Sequence, residues 1–287
     1  MYRTDSSYHS NDSYFRIYDV DEVDMGLIDV HQDSVGGTPS HEPAYVRIGQ
    51  SGNRAGNVRV NGIYAYMNVS YNTSGGSSVE IYGSGDVLIG TDSENLSDIL
   101  TWFYRDIHDS GTLRNSVVVN HSGSFWANRI DTRARNTGST QNDGSGDITL
   151  NGNGEGSGIS GDCTVNEIDG SQLNGSSEDN RGAGSITISG YNNVTIGSLT
   201  SSRPNADQGP HGFWGTATAT ITAAENITFT GAIDMNSAGS DGLLKLTAGK
   251  RITLASLDAS KFAPNGTLFT AATGEEDDAG VCIQGDL

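Results

Sequence analysis

The segments ITISGYNNVTIGSL (186–199), ITAAENITFTGAI (221–233) and LTAGKRITLASL (246–257) decide the fold of this chain, because they repeat one short pattern three times. In the first copy, Ile186 and Ile188 stand two positions apart, and the other copies carry an equivalent apolar pair. This spacing places both side chains on one face of a β-strand. A second apolar pair begins six residues after the first pair ends. Each repeat is therefore predicted to contain two short strands joined by a polar turn.

The same template recurs along the chain in about eight copies. The first apolar residue of the second strand falls at Val23, Val58, Val87, Phe125, Cys163, Val194, Ile227 and Ile252. These anchors lie 25 to 38 residues apart, a range typical of solenoids, propellers and repeat arrays. A propeller blade needs four strands per repeat and helical repeats need a period near 3.6, so both are disfavoured.

The pattern predicts an all-β protein built as one parallel β-solenoid of about eight coils. Residues 14–258 form this solenoid, residues 1–13 are a flexible lead, and residues 259–287 are a partial last coil or a C-terminal tail. Each inward anchor is expected to pack on the equivalent anchors of the coils above and below. Cys163 takes such an inward position, which favours a buried free thiol that packs as a small apolar residue.

One segment departs from the β pattern, and it predicts a short side helix at about residues 93–108 (SENLSDILTWFYRDIH). Its apolar residues, from Leu96 to Ile107, recur at helical spacing. Asp92 or Ser93 is a suitable N-cap residue. The helix would explain why Asp92 stands where the template places the last apolar anchor of the third repeat.

The composition excludes several classes of partner. The net charge is −19 and the pI is near 4.4, so the surface repels phosphate backbones and nucleic acid is not an expected partner. No apolar run approaches the length of a membrane span, so membrane insertion is not expected either. An acidic, Gly-rich repeat chain of this kind is expected to be extracellular or at the cell surface.

Aromatic side chains in three places are candidates for a binding surface. They are Tyr64 and Tyr66 in the second repeat, Trp102 and Tyr104 in the predicted helix, and His211, Phe213 and Trp214 in the loop at 201–216. Exposed rings of this kind stack on sugars, and the loop could hold a ligand on a rigid scaffold. The competing interpretation is structural, since aromatic residues on neighbouring strands commonly pack against each other.

Acidic residues suggest calcium in two places, and no other cofactor is predicted. Asp19, Asp21 and Asp24 alternate in the string DVDEVD (19–24), and oxygen ligands suit calcium. No glycine turn or closing glutamate follows, which favours a solvated acidic turn. Aspartates also recur just after the last anchor of several repeats, at Asp29, Asp131, Asp169, Asp234 and Asp258. Stacking would align them, and calcium would relieve their repulsion.

The repeats VTIGSLTSS (194–202), ITFTGAIDMNS (227–237) and ITLASLDAS (252–260) resemble those of secreted right-handed β-helix proteins of the filamentous-haemagglutinin and autotransporter-passenger type. The likeness covers residues 14–258 as architecture and roughly 185–260 as motif. It implies a right-handed coil and an exported, elongated, adhesive or structural protein. This chain departs from those proteins because it shows no export signal and no N-terminal secretion domain.

Two functions remain open at this stage. The first is an extracellular structural or adhesive module, non-catalytic, whose partner is a second copy stacked head to tail into a filament, or a surface glycan or protein. The alternative is a polysaccharide-active enzyme, a lyase or a glycoside hydrolase, on a β-helix scaffold. A hydrolase needs two facing carboxylates. The recurring aspartates indicate a role repeated at the corner of each coil, so a catalytic pair would be a local exception to the repeat.

Overall fold

A computed structural model describes residues 13–34, 44–69, 76–105, 114–136, 144–154, 158–159, 161–173, 184–201, 218–235, 243–257, 268–274 and 279–284. Within these ranges the chain is all β, and no α-helix is present.

The described strands follow one another around nine coils. The first three coils each contain four short strands. Coil 1 holds β1 (Ser13–Ile17), β2 (Glu22–Met25), β3 (Ile28–Asp29) and β4 (Gln32–Ser34). Coil 2 holds β5 (Ala44–Ile48), β6 (Asn57–Val60), β7 (Ile63–Tyr64) and β8 (Met67–Val69). Coil 3 holds β9 (Ser78–Tyr82), β10 (Val87–Ile89), β11 (Asp98–Leu100) and β12 (Phe103–Arg105).

The later coils fuse some of these strands. Coil 4 holds β13 (Arg114–Asn120), β14 (Phe125–Asp131) and β15 (Ala134–Asn136), and coil 5 holds β16 (Gly144–Asn151), β17 (Cys163–Asp169) and β18 (Gln172–Leu173). Coil 6 is the long strand β19 (Ser185–Thr200), and coil 7 holds β20 (Thr218–Phe229) and β21 (Ile233–Asp234). Coil 8 holds β22 (Leu243–Ala248) and β23 (Arg251–Leu254), and coil 9 holds β24 (Leu268–Thr273) and β25 (Gly280–Ile283).

The described strands pair in parallel with equivalent strands of neighbouring coils, so the architecture is a β-solenoid. Twenty strands form one continuous sheet that curls around the solenoid axis, and β4, β8, β12, β15 and β18 form a second sheet. We call the four sets of equivalent strands the first to fourth stacks, beginning with β1, β2, β3 and β4. Nine coils at about 4.8 Å each span roughly 43 Å along the axis.

The predicted anchors form a single column in the second stack. Paired residues run in register from Val23 through Val58, Val87, Phe125, Cys163, Val194, Ile227 and Ile252 to Val281. All but the last are buried. The alternation of apolar and polar residues therefore predicted both the strands and their register. The free, buried thiol predicted at Cys163 is confirmed.

Two inward residues of the end coils are less buried than their register partners in the inner coils, although Val23 and Ile28 of coil 1 are buried. Ile48 in coil 2 is fully buried, whereas its register partner Ile17 in coil 1 is only partly buried. At the other end, Ile252 is fully buried and its partner Val281 in coil 9 is 46% exposed. A further coil stacked on either end would cover these apolar side chains.

The predicted side helix at 93–108 is wrong over its described part. Residues Asp98–Leu100 and Phe103–Arg105 are β11 and β12, which pair with strands of coils 2 and 4; residues 106–108 lie outside the described ranges. Ile99 and Phe103 both point into the core. Their four-residue spacing looks helical because a corner separates two strands, so the inward positions do not follow a strict period of two.

Asp92 is part of a turn, and the missing anchor lies further along the chain. The Asp92 carboxylate accepts hydrogen bonds from the backbone N–H groups of Glu94 and Asn95, at 2.9 and 2.8 Å. This local capping resembles the start of a helix, which is what the sequence suggested. The true anchor is Ile99, which pairs in register with Ile63 of coil 2 and is fully buried.

A ladder of side chains connects successive coils just before the second stack. Each member's side-chain oxygen accepts the backbone N–H of the member in the next coil. The ladder runs from Asn57 to Asp86, Ser124, Asp162 and Asn193, with distances of 2.9, 2.8, 3.1 and 3.0 Å. These bonds satisfy N–H groups at a corner where the strand pairing is interrupted.

Candidate functional site

The corner between the third and fourth stacks carries a column of stacked rings that we call the aromatic ladder, made of His31, Tyr66 and Trp102. The rings of His31 and Tyr66 are 4.7 Å apart with an interplanar angle of 13°. The rings of Tyr66 and Trp102 are 4.5 Å apart at 6°. The spacing matches the distance between parallel strands, because the three residues occupy the same position in coils 1, 2 and 3.

The aromatic ladder brings together two residues that the sequence placed in separate groups. Tyr66 came from a predicted strand and Trp102 from a predicted helix, and His31 was not selected at all. Both faces of the Tyr66 ring are covered by its neighbours, so a sugar cannot stack on either face. Tyr64 lies on the same outer side of coil 2, facing away from buried Ile63. The contacts fit the structural interpretation of these aromatic residues better than sugar stacking.

The next two coils replace the rings with a charged cluster, which we define as Arg129, Asp131, Arg133, Glu167 and Asp169. Asp131 is almost completely buried and receives both guanidinium groups, Arg133 Nη2 at 2.6 Å and Arg129 Nη2 at 3.0 Å. Asp169 lies beside it, with Arg133 Nε at 3.4 Å and Arg129 Nη2 at 3.9 Å. Glu167 is 3.3 Å from Arg129 Nε. Each carboxylate therefore has a positive partner within the cluster.

The aspartate recurrence does not make a continuous carboxylate ladder. In register, the column reads Asp29, Tyr64, Leu100, Asp131, Asp169, Thr200 and Asp234, and Asp258 lies outside the described ranges. Only two of these aspartates are neighbours. Arginines supply their positive charge, so calcium is not needed there to relieve repulsion.

Burial raises the pKa of Asp169, against the opposing effects of hydrogen bonds from Ser171 and the nearby Arg133. The backbone N–H of Ser171 donates to Asp169 Oδ1 at 3.0 Å. Asp131 is held by the backbone N–H of Arg133 at 3.0 Å as well as by the guanidinium groups. Two adjacent carboxyl groups thus differ in environment, a pattern that also occurs in acid–base pairs.

The acidic string at 19–24 forms a corner of coil 1. Asp19 adopts a left-handed conformation with φ of 58°, which aspartate tolerates better than most residues. Asp24 forms a two-point ion pair with Arg59 of the next coil, with one contact of 2.9 Å. Across the described ranges, no three His, Cys, Asp or Glu side chains are placed to hold a metal ion. Asp19 thus lies in a turn and Asp24 in an ion pair, and the calcium site at Asp19, Asp21 and Asp24 stays a prediction.

Other predicted binding residues fall outside what the structure describes. His211, Phe213 and Trp214 lie in the undescribed segment 202–217, and the backbone of Tyr104 is described as part of β12 but its side chain is not. Among the residues that the structure describes, no helix has the length and apolar character needed to cross a membrane.

The sequence also gave no sign of a buried polar pair at the corner between the first and second stacks. His121 Nε2 lies 2.8 Å from the hydroxyl of Tyr191, and both residues are fully buried. His121 Nδ1 lies 3.2 Å from the carbonyl oxygen of Gly85 and 3.3 Å from the N–H of Gly123. These groups have no access to solvent, so their role is structural.

Comparisons with family models, with curated proteins and with solved structures found no match. Function is therefore inferred from the solenoid and its surface alone.

Proposed function

We propose that this chain is a non-catalytic, extracellular or cell-surface β-solenoid that acts as a structural or adhesive rod and stacks head to tail with further copies of itself. The observation that carries the proposal is that Val281 in coil 9 is 46% exposed and Ile17 in coil 1 is only partly buried. The anchors Ile17 and Val281 occupy columns that are completely buried in the inner coils. Stacking one copy on another would bury them and continue the parallel strand pairing.

The outer surface supports a structural role as well. The rings of Tyr66 and Trp102 stack on each other, and the arginines of the charged cluster form ion pairs with its carboxylates. Such contacts between coils stiffen a rod. A rod of stacked copies would be held by strand edges and apolar ends, and its sides would remain open for adhesive contacts.

Electron microscopy of the purified chain at increasing concentration tests this function. Filaments are expected, with an axial repeat close to nine coils, or roughly 43 Å. Val281→Asp would place a charge on the exposed end of the core and should abolish the filaments. Cys282→Asp adds the same charge to the outward side of the same strand, and filaments should persist. Single short rods at every concentration would contradict head-to-tail stacking.

A polysaccharide-active enzyme is the second candidate function, favoured by one observation. Asp131 and Asp169 are neighbours, and burial raises the pKa of Asp169, as a general acid requires. Release of reducing sugar or of unsaturated product from a polysaccharide panel, lost in Asp169→Asn, would support catalysis. Absence of turnover across acidic and neutral polysaccharides would leave the structural role as the better account of this cluster.

A further inference from the structure

The outer face of the first stack carries an arginine held by two tyrosine rings. The guanidinium carbon of Arg16 in β1 lies 5.0 Å from the ring centroid of Tyr14 and 5.1 Å from that of Tyr45 in β5. Tyr14 and Tyr45 are register partners in coils 1 and 2. Cation–π contacts of this kind fix the plane of a guanidinium without using its N–H groups.

A second arginine lies beside the first and completes the group. Arg47 is the register partner of Arg16, and its guanidinium carbon is 5.0 Å from the Tyr45 centroid. Arg47 is paired with Glu80 of coil 3, with contacts of 2.6 and 2.7 Å. Burial, followed by the charge of Glu80, raises the pKa of Tyr45 to about 12, so this tyrosine is neutral. We call Tyr14, Arg16, Tyr45 and Arg47 the Arg–Tyr patch.

Across the described ranges no carboxylate pairs with Arg16, whose guanidinium group contacts two tyrosine rings. Arg47, Arg59, Arg129 and Arg133 all have carboxylate partners. The Arg–Tyr patch contains two guanidinium groups, and among the described residues Glu80 is the carboxylate that pairs with it. One carboxylate leaves these two guanidinium groups with a positive charge, on a protein whose net charge is −19. Long-range repulsion from the rest of the surface is screened beyond about 8 Å at physiological salt.

We propose that the Arg–Tyr patch binds the carboxylate of an acidic sugar unit, a uronic acid, in an extracellular glycan. The planar fork of Arg16 matches a carboxylate in two-point geometry. Tyr14 is 57% exposed as a residue, and the face of its ring opposite Arg16 would take the C–H side of a sugar ring. An acidic peptide would satisfy the guanidinium but would not use this face. The inference rests on the adhesive function proposed above and gives it a ligand class.

Isothermal titration calorimetry with a galacturonic acid tetrasaccharide at 0.15 M salt tests the proposal. The wild-type chain is expected to bind this probe, and a neutral galactose tetrasaccharide or the methyl-esterified uronide should not bind. Arg16→Gln should weaken binding at least tenfold, because a charge-assisted hydrogen-bonding group is removed. Arg16→Lys keeps the charge but loses the planar fork, so its affinity for the uronide should fall between those of the wild type and Arg16→Gln.

Arg251→Gln is the matched control, since Arg251 is another exposed arginine, and it lies in coil 8. It should bind the uronide as the wild type does. The inference would be overturned if the wild type did not bind the uronide, or if it bound the methyl ester equally well. It would also be overturned if Arg16→Gln bound the uronide as tightly as the wild type, or if Arg251→Gln weakened binding as much as Arg16→Gln.

Filament formation separates this proposal from the structural one. Filaments that persist in Arg16→Gln while uronide binding is lost would support a side-facing glycan site. Uronide binding by single short rods would contradict stacking and leave the glycan site intact. Loss of filaments in Arg16→Gln, with no uronide binding by the wild type, would overturn the glycan site and identify a second copy as the occupant of the patch.

Discussion

The hydrogen bond between His121 and Tyr191 connects coil 4 to coil 6 and passes over the coil between them. The two residues are 70 positions apart in sequence. Coil 5 leaves room for this contact because glycine occupies position 152, directly beside the Tyr191 ring. The rings of His121 and Tyr191 also contact each other, with centroids 5.5 Å apart. Three consecutive coils are thus packed together around one buried polar pair.

Acidification is expected to weaken the fold through His121. Burial lowers the pKa of His121 to about 4, despite the opposing effects of the Gly85 carbonyl and Asp86. In the unfolded chain this pKa is near 6.5, so between the two values the unfolded chain binds more protons than the folded one. This group's contribution is fully present above pH 6.5, and about 3 kcal/mol of unfolding free energy is lost as the pH falls to 4.

Urea unfolding of wild type and His121→Asn across this pH range measures the effect. The wild type should lose stability faster than the variant between pH 6.5 and 4. Parallel pH profiles for the two proteins would show that His121 is not protonated on unfolding.

Gly152→Ala is expected to destabilise the chain by about 1 to 3 kcal/mol through overpacking. A Cβ at this position would lie 2.6 Å from two carbons of the Tyr191 ring and 2.7 Å from the Gly190 carbonyl oxygen. Gly26→Ala is the control, since a Cβ there would meet no atom within 4 Å. Thermal unfolding of both variants gives the comparison, and equal melting temperatures would show that coil 5 adjusts without cost.

The two aspartates of the charged cluster should respond oppositely to isosteric substitution. Asp131→Asn removes the charge that two guanidinium groups share, and a loss of about 2 to 3 kcal/mol is expected. Asp169→Asn should leave stability at pH 7 equal to or above that of the wild type. Burial raises the pKa of Asp169, so its ionised form disfavours the folded state once the pH exceeds the unfolded pKa.

Chemical denaturation of Asp131→Asn and Asp169→Asn at pH 7 decides this prediction. A larger loss for Asp169→Asn would mean that its carboxylate, and not that of Asp131, is the one the arginines need.

Truncation of the aromatic ladder at its middle is expected to cost more than truncation beside it. Tyr66→Ala removes two stacking contacts, each worth about 0.5 to 1.5 kcal/mol beyond the buried area. Tyr64→Ala, in the same coil but outside the ladder, should cost less. Melting temperatures of the two variants provide the test. If Tyr66→Ala left stability unchanged but abolished binding to a glycan, the ladder would be a binding surface after all.

The repeated apolar pairs predicted most of the fold because they record local geometry. Each pair, such as Val194 and Ile196, specifies a strand and its inward face without reference to distant residues. The second-stack anchors could therefore be aligned by eye into the column that the structure shows. The sequence predicts either a partial last coil or a C-terminal tail at 259–287, and β24 and β25, the described strands in this stretch, pair with coil 8.

The remaining features depend on contacts between coils, which a local pattern does not record. A turn inserted after Asp92 moved the anchor of coil 3 to Ile99, and the corner that follows produced a false helical period. The aromatic ladder and the pairing of Asp131 with Arg133 depend on which residues occupy the same corner in neighbouring coils. Insertions of different lengths separate those residues in sequence.

The ladder that begins at Asn57 and Asp86 has a direction, because the accepting oxygen always belongs to the earlier coil and the donor to the later one. The side-chain oxygen of each coil in this ladder therefore needs a backbone N–H only from the coil that follows it. Duplicating a coil in the gene would preserve this relationship at both new boundaries, provided that the copy kept an oxygen-bearing side chain at the corner. A protein of this kind can lengthen by tandem duplication, one coil at a time, without redesign of the coils already present.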